Sequence, residues 1–132
     1  MAVKKFGPNE AIHERSDAQY SCTFYESAVG EPALNAAAIT TIVATLSDLA
    51  TGEILNSRDE QNVRNANGGT LESNGTFTLQ LEADDNIIVT PELNQSREQH
   101  LLTLEVTFAR TGGGTGTLNH PVQFYVLNLA HV

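Results

Sequence analysis

Four histidines, His13, His100, His120 and His131, and one cysteine, Cys22, are the side chains here best suited to ligate a metal or act as a nucleophile. A zinc centre needs three or four N, S or O donors converging on one point, with tight ligand spacing. No HxxxH or CxxC spacing occurs. His100 opens one strand-like stretch and His120 precedes Pro121 in the stretch that would pair with it, so the two are expected to approach across a hairpin. Both are read as structural. Cys22 sits in an alternating run with no adjacent cation, which describes an inert buried thiol. A single cysteine excludes an internal disulfide.

The carboxylates Glu82, Asp84 and Asp85 lie close together. They lack the alternating oxygen ligands and central glycine of a calcium loop, so a solvated turn is expected. No GxSxG nucleophile elbow occurs. The run Gly112-Gly113-Gly114-Thr115-Gly116 has the glycines of a phosphate loop, but neither a lysine nor a helix comes after it. It reads as a hairpin tip. The sequence therefore assigns no catalytic residue, no cofactor-binding residue and no metal ligand.

The elements that must position these residues are strands. The stretch from Arg97 to Leu129 organises the chain. Leu102, Leu104, Val106 and Phe108 share one face, and Thr103, Glu105 and Thr107 the other. A period of two marks a half-buried strand. Thr111 to Thr117 reverses the chain, and Val122, Phe124 and Val126 alternate against Gln123 and Tyr125. Leu127 and Leu129 fall on the face opposite Val122, Phe124 and Val126, which predicts a covering layer or a subunit contact at that end.

Earlier in the chain, Tyr20 to Glu26 is a strand candidate with Cys22 and Phe24 on one face. Gly30, Pro32 and Asn35 then break the pattern. Ala36 to Leu49 fits either period, since Ile39, Ile42, Val43, Leu46 and Leu49 fit a helix face and Ile42, Ala44 and Leu46 a strand face. The β-branched run Ile39-Thr40-Thr41-Ile42-Val43 decides for a strand, with a short helical turn at Ala36-Ala37-Ala38. Short strands are expected near Glu53 to Asn56 and Gln61 to Arg64. Thr76 to Glu82 is a clear strand with Phe77, Leu79 and Leu81 inward. Ile87-Ile88-Val89 is an apolar plug, as one helical turn or a short strand. Residues 1–19 show no periodicity and are expected to form an extended N-terminal arm, with residues 20–132 as the folded domain. The fold class is all-β: an immunoglobulin-like antiparallel β-sandwich of about seven strands. Tryptophan is absent, which excludes the Cys-Trp-Cys core of antibody domains.

At 132 residues the chain suits one domain. Its 16 acidic and 7 basic residues give a net charge of −9, which disfavours nucleic acid as a partner. No apolar run approaches the roughly 18 residues needed to span a bilayer, and no signal-peptide core comes after Met1, so membrane association and secretion are not expected.

Several stretches together resemble a known family. They are Leu46-Ser47-Asp48-Leu49-Ala50-Thr51-Gly52-Glu53-Ile54-Leu55-Asn56-Ser57-Arg58, then Gly75-Thr76-Phe77-Thr78-Leu79-Gln80-Leu81, then Asp85-Asn86-Ile87-Ile88. Glu98-Gln99-His100 leading into Leu104-Glu105-Val106-Thr107-Phe108 comes next, and Val122 to Leu129 ends the series. In order and spacing these resemble small immunoglobulin-like proteins encoded among the virion structural genes of tailed bacteriophages. The resemblance implies a non-enzymatic virion protein, made in the host cytoplasm. It implies foremost a capsid decoration (cement) protein on the outside of the head. The major capsid protein or other virion structural proteins would be its partners, with self-association on the particle. A head–tail or tail component, or a receptor- or carbohydrate-binding module of the tail, is the alternative. The arm at 1–19 and the hairpin tip at 111–117 are the expected docking elements.

Overall fold

The computed structural model describes residues 4–26, 33–93 and 95–129. Gly30, Pro32, His131 and the first three residues of the expected arm lie outside the described residues. Nine strands occur among those described: β1 (Lys4–Lys5), β2 (Ala11–His13), β3 (Ala18–Thr23), β4 (Ile39–Asp48), β5 (Gln61–Asn62), β6 (Gly69–Leu71), β7 (Thr76–Leu81), β8 (Arg97–Ala109) and β9 (Thr115–Leu127). Two 3₁₀ turns, Ala83–Asp85 and Pro91–Leu93, complete the regular structure.

The strands form two sheets, β1-β3-β7-β6 and β2-β9-β8-β4-β5. Alternation explains the layering. Leu102, Leu104, Val106 and Phe108 of β8, Val122, Phe124 and Val126 of β9, and Ile42, Ala44 and Leu46 of β4 are all buried. Ala18, Tyr20, Phe77, Leu79 and Leu81 of the other sheet are buried too, and all join one core cluster. Fully burying one such Leu or Phe side chain contributes about 1.5–3 kcal/mol.

The fold is thus an all-β sandwich, and its strand order is that of immunoglobulin sandwiches, ABED against GFC. β3, β7 and β6 stand at B, E and D. β9, β8 and β4 stand at G, F and C, with β5 beside β4. The N-terminal strands depart from antiparallel pairing: β1 runs parallel to β3, and β2 parallel to β9.

That departure corrects the reading of residues 1–19 as an arm. Residues 4–19 lie on the sandwich itself. Phe6, Ile12 and Ala18 are buried in the core, and the Phe6 ring packs 4.8 Å from that of Phe124. Strands this short leave no periodicity to read, yet the segment anchors three apolar side chains. The segment 36–38 is a turn, as expected, and β4 is a strand. The stretch near Glu53 to Asn56 contributes only an isolated bridge, Ser47 to Ile54. The plug Ile87-Ile88-Val89 packs against the core in neither expected form.

Candidate functional site: a polar cluster at one pole of the sandwich

The inward faces of β4 and β8 do not end in apolar residues. Continuing β4 by two from Leu46 reaches Asp48. Continuing β8 backwards by two and four from Leu102 reaches His100 and Glu98. Asp48 is the cross-strand partner of His100, and all three residues are buried. A triad of ionisable side chains therefore stands where the pattern requires core residues, at the pole where β4 ends and β8 begins.

Each carboxylate is held by loop donors. Asp48 Oδ2 accepts the Thr51 backbone N–H at 2.9 Å and the Thr51 hydroxyl at 2.7 Å. Glu98 Oε1 accepts the Val89 N–H at 2.8 Å, and Oε2 accepts the Thr90 N–H and hydroxyl, each at 2.9 Å. His100 Nε2 donates to Glu98 Oε1 at 2.7 Å and lies 4.0 Å from Asp48 Oδ1. The imidazole edge meets the Phe124 ring at 79°. Burial alone would raise the Glu98 carboxyl, but donation from His100, Val89 and Thr90 outweighs it and holds the group below the usual range. Asp48 Oδ1 and His100 Nδ1 are buried and have no hydrogen-bond partner. Nε2 faces carboxylates instead of a hydroxyl or thiol, so the cluster lacks the base–nucleophile pair of covalent catalysis.

A groove of about 320 Å³ opens beside the cluster, lined in part by Asp48, Glu98, Leu49, Leu93, Arg97 and Tyr125. The Arg97 guanidinium lies 4.1 Å over the Tyr125 ring. Leu49 is 40% exposed and Leu93 56%. β9 ends at the same pole, because Leu127 pairs with Arg97. Leu127 lines a second hollow with Ala11, Ile12 and His13, and Leu129 is 51% exposed. The Leu129 N–H donates to Glu14 Oε1 at 2.8 Å.

The other expected sites fare differently. His100 and His120 are not neighbours: the register pairs His100 with Phe124 and His120 with Leu104. The hairpin is closed tightly by the Arg110 N–H donating to the Gly114 carbonyl, which centres the pairing on residue 112 and offsets the two histidines. His120 is half-buried; its Nε2 and the Tyr20 hydroxyl share a hydrogen bond of 2.6 Å. Burial lowers the pKa of His120. His13 is exposed at the end of β2. Cys22 is partly buried, and burial pushes its thiol up to about 12 against the weaker pull of a Tyr20 hydrogen bond.

The acidic turn is not wholly solvated. Glu82 is exposed, but Asp85 is fully buried and takes a two-pronged ion pair from Arg58, Nε to Oδ1 at 2.7 Å and Nη2 to Oδ2 at 3.0 Å. Asp85 also accepts the Asn56 amide at 3.0 Å and the Glu82 N–H at 2.7 Å. The guanidinium supplies the charge a cation would otherwise bring. At the hairpin tip, the Thr111 N–H and hydroxyl donate to Glu26, which lowers the Glu26 pKa.

Sequence reasoning missed the triad. Its signal was Asp48, Glu98 and His100 standing in phase with the core-facing residues of their strands. Compared with models of protein families, with curated proteins and with solved structures, the chain matches none.

Proposed function

We propose that this chain is a non-enzymatic structural protein of a bacteriophage virion, a capsid decoration protein that binds the outside of the head and stabilises it. The family resemblance of the sequence supports the virion setting. One structural observation carries the docking role and moves it from the expected hairpin tip at 111–117 to the opposite end of β8 and β9: the apolar pole. Among the described residues, Leu49, Ile54, Leu93 and Leu129 are four of the five exposed large hydrophobic side chains, and all stand beside the strand ends at that pole. Leu49 and Leu93 line the groove itself, and apolar side chains beside a groove with a polar rim mark a contact surface. Many copies on a regular lattice would let weak contacts of this kind sum. The acidic surface keeps unbound protein soluble before assembly.

A carbohydrate platform needs exposed aromatic rings. Tyr25 is the one exposed aromatic among the described residues, and Tyr125 lies under Arg97. Decoration is therefore favoured over glycan capture.

The test is co-sedimentation with phage heads stripped of this protein. The expected result is that wild-type chain pellets with heads, and that the double variant Leu49→Asp, Leu93→Asp stays in the supernatant with an unchanged circular dichroism spectrum. Wild-type chain remaining in the supernatant, or the variant pelleting as well as wild type, would overturn the reading.

A further inference from the structure

We propose that Asp48, Glu98 and His100 form a binding site for one divalent cation of the zinc class, reached from the groove beside them. Glu98 and His100 are two apart on one face of β8, and Asp48 is the cross-strand partner of His100. Two-residue spacing on one strand plus a partner on the next brings three side chains to one point. Their ligand atoms lie within 4.8 Å of one another, and all three residues are buried.

Charge and satisfaction both point to a cation. Two buried carboxylates stand beside one imidazole, and among the described residues neither is ion-paired to an arginine or lysine. Asp48 Oδ1 is an unpartnered oxygen on a side chain only 1% exposed, and it faces His100 Nε2. A buried acceptor left unpaired is costly, and a cation between these atoms would satisfy it.

The distances suit the chemistry. Donors bound at roughly 2.0–2.1 Å in a tetrahedral site sit about 3.3 Å apart. The observed spacings, 2.7 Å from Nε2 to Glu98 Oε1 and 4.0 Å from Nε2 to Asp48 Oδ1, bracket that value. Binding replaces the hydrogen bond between Nε2 and Glu98: the cation takes the Nε2 lone pair, and the ring of the neutral imidazole carries its proton on Nδ1. Thr51, Val89 and Thr90 already orient the two carboxylates, as outer donors do around metal ligands. Asp48 and Glu98 line the groove, which supplies an entry path and room for a water as fourth ligand. One imidazole with two carboxylates selects zinc over calcium or magnesium, which require six or more oxygen ligands. The site does not depend on docking to a particle.

The test is calorimetric titration of the metal-free full chain with ZnCl₂, with CaCl₂ in a parallel arm, and visible spectroscopy of the cobalt-substituted protein. The expected result is one zinc per chain, a thermal midpoint raised by several degrees, and the d–d bands of four-coordinate cobalt. Asp48→Asn, which preserves shape, should weaken binding at least roughly tenfold. His13→Ala, at an exposed histidine, should leave binding unchanged. No stoichiometric zinc binding, calcium binding as tight as zinc, binding unaffected by Asp48→Asn, or binding lost on His13→Ala would each overturn the proposal.

Discussion

Arg58 and Asp85 form a two-pronged ion pair inside the protein, with side chains 7% and 0% exposed. Arg58 also donates to the Gln61 side chain and the Asn67 carbonyl, each at 3.0 Å. The pair therefore fastens the β4–β5 connection, and through Asn67 the β5–β6 connection, to the turn after β7. Removing one partner strands the other charge in the interior. Asp85→Asn or Arg58→Met should destabilise the fold by about 3–5 kcal/mol, read as a lower urea midpoint. The double variant Arg58→Met, Asp85→Leu should lose less than the sum of the single changes. Full additivity would mean that the two charges are not coupled.

The acid side of the stability profile carries the lowered pKa values of buried His120 and Glu98, and of exposed Glu26, whose own decline falls in the same range as that of Glu98. His120 titrates below its ordinary value of 6.5 because it is buried. Between that value and the folded one, the unfolded chain takes up a proton that the folded chain refuses, so stability falls as pH falls. Glu98 titrates below its ordinary 4.5. Its stabilisation is complete above that value and is lost as pH drops through the folded pKa. Urea midpoints should be flat between about pH 7 and 8, decline first below about pH 6.5, and decline again below about pH 4.5. They should also decline on the alkaline side above about pH 9, where the unfolded chain ionises the Cys22 thiol that burial keeps protonated in the fold. His120→Gln should remove the first decline alone. An unchanged first decline in that variant would contradict the assignment.

Much of this architecture was legible in the sequence, because two-residue alternation in 76–82, 101–108 and 122–126 is a local signal. The ambiguity at 36–49 has a structural cause. A β-bulge between Ile39 and Thr41 puts Ile39 and Ile42 on the same buried face, three residues apart, which imitates helical spacing. Phe6 and Ile12 gave no signal: Phe6 directly succeeds a strand of two residues, and Ile12 sits in a strand of three, too short for alternation to show. Arg58 and Asp85 lie in turns 27 residues apart, so no spacing rule connects them. The Asp48–Glu98–His100 cluster was readable in principle, as polar residues in phase with a buried face.

Cys22 should be unreactive in the folded protein, since its thiol is pushed up to about 12 by burial. Thiolate is the reacting form, so labelling with a disulfide reagent at about pH 8 should be slow and should accelerate sharply in urea. Rapid labelling of the native protein would contradict that placement.

Gly75 and Gly114 both have positive φ, +98° and +82°, but only Gly75 is hemmed in. A Cβ there would collide with the Leu34 carbonyl oxygen, whereas one at Gly114 meets nothing within 4 Å. Gly114→Ala should cost about 1–2 kcal/mol, the left-handed backbone penalty. Gly75→Ala should cost several times more, measured by thermal or urea denaturation. Equal losses would place the turn at Gly75 farther from Leu34 than described.

The assembly role is tested most directly by electron cryomicroscopy of phage heads saturated with the purified chain. The account predicts repeated density on the outer head surface, with the sandwich fitted so that Leu49 and Leu93 face the capsid and the glycine tip at 112–114 points away. Bare heads, density confined to the tail, or a sandwich attached by that glycine tip would contradict it.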